Sequence, residues 1–196
     1  VSYITEQGRR AGYDYIGSSF GVTPALLGFW TKQGWVPARL SIQRGASSGA
    51  HSLLMLTHLS PRGEDLLLKA RGRFVAQFPY QLCDSLRGLD ADLVCSLMKN
   101  AGPSGIEPDE ADLADVRAFA CGQRLLEVSI GSVWRWVCHT LMSSSRASQL
   151  GKQELTLLVA RVLQKHGWQE CAQQTGVAGR AQAQAVLRGA IAKLIG

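Results

Sequence analysis

The sequence has few of the residue patterns that mark several large functional classes. Its four histidines are scattered, with no H-E-x-x-H pair and none beside a cysteine pair, so no metal-ligand set can be read from it. His51, His58, His139 and His166 have no evident partner and take core or surface roles by default. The five cysteines, Cys83, Cys95, Cys121, Cys138 and Cys171, form an odd set without C-x-x-C spacing. This argues against a disulfide framework and for free thiols in a reducing, cytoplasmic setting. No G-x-x-x-x-G-K-[ST] occurs, so the chain has no P-loop to grip a nucleoside triphosphate. The most apolar stretch, residues 125–142, is interrupted by Glu127, Arg135 and His139, which predicts a buried helix rather than a membrane span. A secretory signal and an internal repeat are also lacking.

What is present suits one large or two small globular domains: 196 residues, 46% of them hydrophobic. The opening residues, VSYITEQGRRAG, have the pattern of a helix end, with Arg9 and Arg10 in the last turn and Gly12 as its stop. With no initiator methionine, they predict that the chain is the C-terminal portion of a longer protein. The net charge of +6 is unevenly spread. Residues 1–60 carry +3, residues 61–120 carry −3 and residues 121–196 carry +6, nine basic side chains against Glu127, Glu154 and Glu170. A basic final segment suits a phosphate backbone, although an ordinary solvated helical surface gives the same count.

Residues 14–58 hold the most structured pattern. DYIGSSFG predicts a buried strand, and TPALLGFWTKQGW a helix capped by Thr23, with Pro24 in its first turn and Gly34 as a left-handed stop. Leu26, Leu27 and Trp30 are expected on one apolar face. VPARLSIQ and SLLMLTH follow as strands joined by the small-residue loop RGASSGA. The series SFGVT, then L-x-F-W-x-x-x-G-W, then R-x-A-S-S-G before an apolar strand resembles the bacterial tRNA(Met) cytidine acetyltransferases, of the GNAT superfamily. The resemblance covers roughly the first third of the chain. It implies an α/β fold, the C-terminal part of a GNAT acetyltransferase domain over residues 1–59, followed by an all-α tail domain over residues 60–196.

The resemblance also implies a chemistry. Such enzymes transfer acetyl from acetyl-CoA to the exocyclic amine of the wobble cytidine of elongator tRNA(Met), giving N4-acetylcytidine. ATP, with Mg, is used by a further module expected upstream of Val1. The Gln/Arg-x-x-Gly-x-Gly/Ala loop that cradles the CoA pyrophosphate is likewise expected before Val1, so this portion alone is expected to be inactive. Here the helix of residues 24–34 is implied to lie beside the CoA, with Phe29 and Lys32 as contacts and Ser18 and Ser19 bordering the pantetheine arm. Two positions depart from the pattern. Ala25 stands where the family has an acidic contact. Trp30 stands where many GNAT enzymes place a tyrosine acid; an indole cannot protonate a departing thiolate, and Trp30 reads equally well as packing. No catalytic residue is assigned.

For RNA, Arg44, Ser47 and Ser48 of the R-x-A-S-S-G loop are the first candidates, since small residues admit a nucleotide backbone and Arg44 can hold a phosphate. The same loop is also explained by turn chemistry. Beyond residue 60 the pattern predicts helices over about 61–77 (stopped by Pro79), 81–87, 90–100, 109–121, 124–142, 152–165 and 179–195. On the last two, Arg161, Lys165, Arg180, Arg188 and Lys193 are candidates for a phosphate-tracking stripe, or simply surface charge. A non-catalytic RNA- or protein-binding module built on a GNAT remnant is the alternative reading.

Overall fold

The computed structural model describes residues 1–46, 49–103 and 105–196. It divides into two compact units, Val1–Phe78 and Pro79–Gly196. The division falls inside a helix, whereas the sequence pattern changes at residue 60.

In the first unit the order is α1 (Ser2–Arg10), β1 (Tyr15–Gly21), α2 (Pro24–Lys32), β2 (Val36–Arg44), β3 (His51–His58) and most of α3 (Pro61–Leu82). The strands form an antiparallel sheet in the order β1-β3-β2, so the last strand is inserted between the other two. Central β3 accordingly supplies the core, with Leu53 and Met55 fully buried and Leu56 nearly so. β1 was expected to be buried. It instead alternates exposed and half-buried residues, the pattern of a strand with neither face fully covered. A short knot ties its start to α3. Ser60 caps α3 by accepting from Gly63 N at 3.1 Å and donates to Asp14 Oδ1 at 2.6 Å, while Leu59 N reaches Asp14 O at 2.8 Å.

The predicted stop at Pro79 is not observed. α3 continues to Leu82 with Pro79 inside it. A proline in the last turn removes the single N–H that would serve the carbonyl four residues back, and only three helical residues follow it, so little of the helix is lost. The helix expected over residues 81–87 is not observed either. Hydrogen bonds such as Asp84 N to Gln81 O and Arg87 N to Asp84 O close successive turns there instead.

The second unit is helical: α4 (Ala91–Ala101), α5 (Glu110–Ala120), α6 (Leu126–Ser143), a 3₁₀ turn (Arg146–Gln149), α7 (Lys152–Leu158), a π-helical segment (Val159–Leu163), α8 (Trp168–Thr175) and α9 (Arg180–Ile195). Asp90 caps α4, and Asp109 with Asp112 forms a capping box on α5. The single helix expected over residues 152–165 is therefore two segments, and α8 was not expected at all. Its start is fixed by Glu170 Oε2, which accepts from Gly167 N at 2.7 Å. Val133, Val137, Leu157, Leu158, Leu187 and Ile191 are fully buried in this unit. Among the described residues, no helix is long and apolar enough to cross a membrane.

Candidate functional site

α2 is positioned by local chemistry. Thr23 Oγ1 accepts from Leu26 N at 3.2 Å, Pro24 occupies the first turn, and Gly34, at φ +78°, turns the chain into β2. The apolar face differs from expectation: Leu27 is fully buried, but Leu26 is 42% exposed, and Trp30 is half-buried. Trp30 lies in an aromatic cluster. It stacks on Phe20 of β1 at 5.8 Å, meets Trp35 at 4.6 Å and takes Phe29 edge-on at 5.5 Å. These contacts give Trp30 a packing role and fasten α2 to one face of β1.

Side chains alternate along a strand, so Ser18 shares the α2-facing side of β1 with Phe20, and Ser19 points the other way. There Ser19 Oγ lies 2.8 Å from Ser52 Oγ. Phe29 is half exposed, and Lys32 is exposed in the last turn of α2. Ser18, Phe29 and Lys32 thus belong to one layer, from which Ser19 is turned away. The feature that fits an acetyl-CoA arm is the edge of β1 opposite β3, which pairs with no other described strand. Alternate residues of an edge strand direct N–H and C=O groups outward, the complement of the amides in a pantetheine chain.

The RNA candidates are dispersed. Arg44 ends β2 opposite His51, exposed and with no acidic partner among the described residues. Ser47 and Ser48 lie outside the described residues. Arg161 and Arg180 converge on Glu127 Oε1 at 3.7 and 3.3 Å, and both guanidinium groups lie over the Trp168 ring. The backbone around Glu127, the Trp168 indole and these two arginines hold the Glu127 carboxyl below its ordinary value. Lys193 pairs with Glu154 at 2.8 Å, and Arg188 lies over the Phe119 ring at 5.6 Å. Lys165 stands apart, with no carboxylate partner among the described residues. The structure therefore gathers Arg161 and Arg180 on Glu127, while Arg188 and Lys193 have partners of their own.

Sequence reasoning missed two organising carboxylates. Glu127 gathers Arg161, Arg180 and Trp168; only its isolation in a basic segment hints at this. Asp112 of α5 is 4% exposed and accepts both Nε (2.8 Å) and Nη2 of Arg135 on α6. That pairing holds its carboxyl down at about 2, against burial, which raises it. Three of the four histidines bind backbone carbonyls: His51 Nδ1 to Ser41 O at 2.8 Å, His139 Nδ1 to Ile106 O at 3.0 Å and His166 Nε2 to Arg87 O at 3.0 Å. No group of ligand-type side chains that could hold a metal ion is found among the described residues.

A strand, a capped aromatic helix and two further strands follow in the order that the GNAT resemblance implied, and residues 4–60 match the family model described as GNAT acetyltransferase 2. This region has a GNAT-type fold, so the chain is an α/β region followed by a helical one. Over its whole length it is similar to the tRNA(Met) cytidine acetyltransferases TmcA. That of Nitrosococcus halophilus is 44% identical over 196 residues, all of this chain and 26% of the relative. That of Vibrio cholerae is 31% identical over 186 residues, 93% of this chain and 24% of the relative. That of Haloferax volcanii is 34% identical over 163 residues, 82% of this chain and 21% of the relative. The chain spans about a quarter of the length of the curated relatives it matches.

Proposed function

We propose that this chain forms part of an acetyltransferase that moves acetyl from acetyl-CoA to the exocyclic amine of the wobble cytidine of elongator tRNA(Met), in the cytoplasm. The observation that carries the reading is 44% identity to a tRNA(Met) cytidine acetyltransferase along the entire chain, helical region included. When bound, acetyl-CoA supplies a thioester activated for acyl transfer. The outer edge of β1 orients its pantetheine amides, Ser18 and Phe29 border the arm, and Lys32 offers a cation to its phosphates. Ser19 is retained as a weaker candidate on the opposite side of β1. The cytosine amine is already neutral at pH 7, so the protein's task is to orient it and provide a path for its proton.

On this reading residues 1–59 complete the acetyltransferase domain and residues 60–196 form a tail that grips tRNA. Arg44, with Ser47 and Ser48, is the contact nearest the acetyltransferase region. Arg161, Lys165, Arg180, Arg188 and Lys193 serve the tail, the ion pairs of Arg161, Arg180 and Lys193 opening or sharing as phosphates arrive. ATP and Mg enter through a further module of the same enzyme. In the full-length protein, Lys32→Ala is expected to raise KM for acetyl-CoA several-fold with kcat little changed; an unaltered KM removes Lys32 from the site. Arg44→Ala is expected to weaken tRNA binding, and unchanged affinity overturns that assignment.

A second reading, a non-catalytic module that binds a protein, is favoured by the internal pairing of Arg161, Arg180 and Lys193. Salt separates the two. RNA affinity carried by several cations falls steeply between low and moderate salt, while an apolar protein contact does not.

A further inference from the structure

Within the second unit, Pro79, Tyr80, Cys83, Ile130, Gly131, Trp134, Arg135 and Lys165 line an open hollow of about 280 Å³. Two aromatic rings flank it: Tyr80, 67% exposed, and Trp134, with centroids 5.8 Å apart and planes inclined by 39°. Among the described residues, no carboxylate lines it. Arg135 is committed to Asp112, which leaves Lys165 as its available cation. Burial pulls the Lys165 ammonium below the ordinary lysine value, so an incoming anion would relieve an unfavourable desolvation.

The backbone around Lys165 adds to the case. It is the one described non-glycine residue with positive φ, at 58°, and follows directly on the π-helical segment and Gln164. His166 N bonds back to Ala160 O at 2.9 Å, the helix-ending arrangement in which glycine is the usual residue at the left-handed position. A lysine held there supplies a side chain where the backbone prefers none. On the opposite wall, Gly131 sits inside α6, where glycine is disfavoured, yet a Cβ added there meets only Arg135 Nη1 at 3.6 Å. The glycine leaves the space beside Trp134 open.

We infer that this hollow binds a single unpaired nucleotide of an RNA, its base stacked on Trp134 and Tyr80 and its phosphate on Lys165. The inference rests on the RNA-modifying function proposed above and names the surface that would carry the contact. A nucleotide uses both features of the hollow, planar aromatic faces and an unpaired cation, whereas an apolar peptide would leave the ammonium desolvated and unmatched. The net +6 of residues 121–196 agrees with a polyanion. Stacking without base-edge hydrogen bonds predicts that this contact adds affinity but little sequence preference.

The test uses the full chain, a fluorescein-labelled elongator tRNA(Met) transcript and a short single-stranded oligouridylate, read by anisotropy across a salt series. Lys165→Gly removes the cation and relaxes the backbone; Gly131→Leu fills the hollow without touching the core. Each is expected to weaken binding of both probes about tenfold, with no fall in melting temperature. Lys165→Gly also lowers the slope of log affinity against log salt by about 0.7, and Lys165→Arg retains near-parental binding. If the parent chain binds RNA and both variants bind equally well, the hollow is overturned and RNA is held elsewhere. If the parent chain binds neither probe at low salt, the RNA reading falls, and the hollow with it.

Discussion

Replacing Asp112 with asparagine removes a charge that the second unit is built to hold. Its carboxylate is buried, accepts two hydrogen bonds from Arg135, and closes the α5 capping box by accepting from Asp109 N at 3.3 Å. The folded protein holds this group at about 2 against an ordinary 3.8. A difference of that size corresponds to about 2 kcal/mol, reduced toward about 1 kcal/mol because Arg135 is partly solvated and screened. The sign follows from the direction of the shift. A carboxyl whose folded value is depressed contributes fully above pH 4 and progressively less as pH falls toward and below 2. Urea unfolding of the parent and Asp112→Asn at pH 7 and pH 2 measures this. At pH 7 the variant is expected to be less stable by about 1–2 kcal/mol, and at pH 2 the gap should shrink below about 0.5 kcal/mol. A gap that is absent at pH 7, or equally large at both, refutes the ion-pair account.

Two further predictions concern packing and thiol chemistry. A Cβ on Gly63 would lie 1.8 Å from Asp14 O, so Gly63→Ala must displace the knot between β1 and α3 and cost about 1–3 kcal/mol; a melting temperature equal to the parent's contradicts it. Burial pushes the thiols of Cys138 and Cys171 up to about 12 and about 11, whereas Cys83 and Cys121 are exposed. Iodoacetamide at pH 8 should label Cys83 and Cys121 rapidly and reach Cys138 and Cys171 only on unfolding. Simultaneous labelling of all four excludes this burial pattern.

The sequence was most legible where a few adjacent residues determine the outcome. Thr23, Pro24 and Gly34 set both ends of α2 by local hydrogen bonding and backbone preference, and the structure keeps them there. The exposure of β1 was not legible, since Ile16 and Phe20 do not reveal what covers the two faces of the strand. The order β1-β3-β2 depends on pairing between residues distant in sequence, which no local pattern reveals. Pro79 was over-read because its effect depends on how near the helix end lies. α8 was lost because glycine and glutamine dominate its flanks and surface, masking a start fixed by one side-chain hydrogen bond. Of the candidate site, the two-residue period of β1 turns Ser19 to the face opposite Ser18, which the sequence grouping did not take into account. Charge counting gave the +6 of residues 121–196 but not its arrangement, in which Glu127 engages two of the five tail cations and Glu154 a third. The hollow at Lys165 had no signature at all, because Tyr80, Trp134 and Lys165 come from separate segments.

The central claim is that this chain belongs to an enzyme that acetylates tRNA cytidine. The most direct measurement is nucleoside mass spectrometry of elongator tRNA(Met) after incubation with the full-length protein, acetyl-CoA, ATP and Mg. The account predicts N4-acetylcytidine at one nucleoside per tRNA, lost when acetyl-CoA is omitted and reduced by Lys32→Ala at limiting acetyl-CoA. Acetyl-CoA turnover that acetylates a protein or small amine while the tRNA stays unmodified would contradict it.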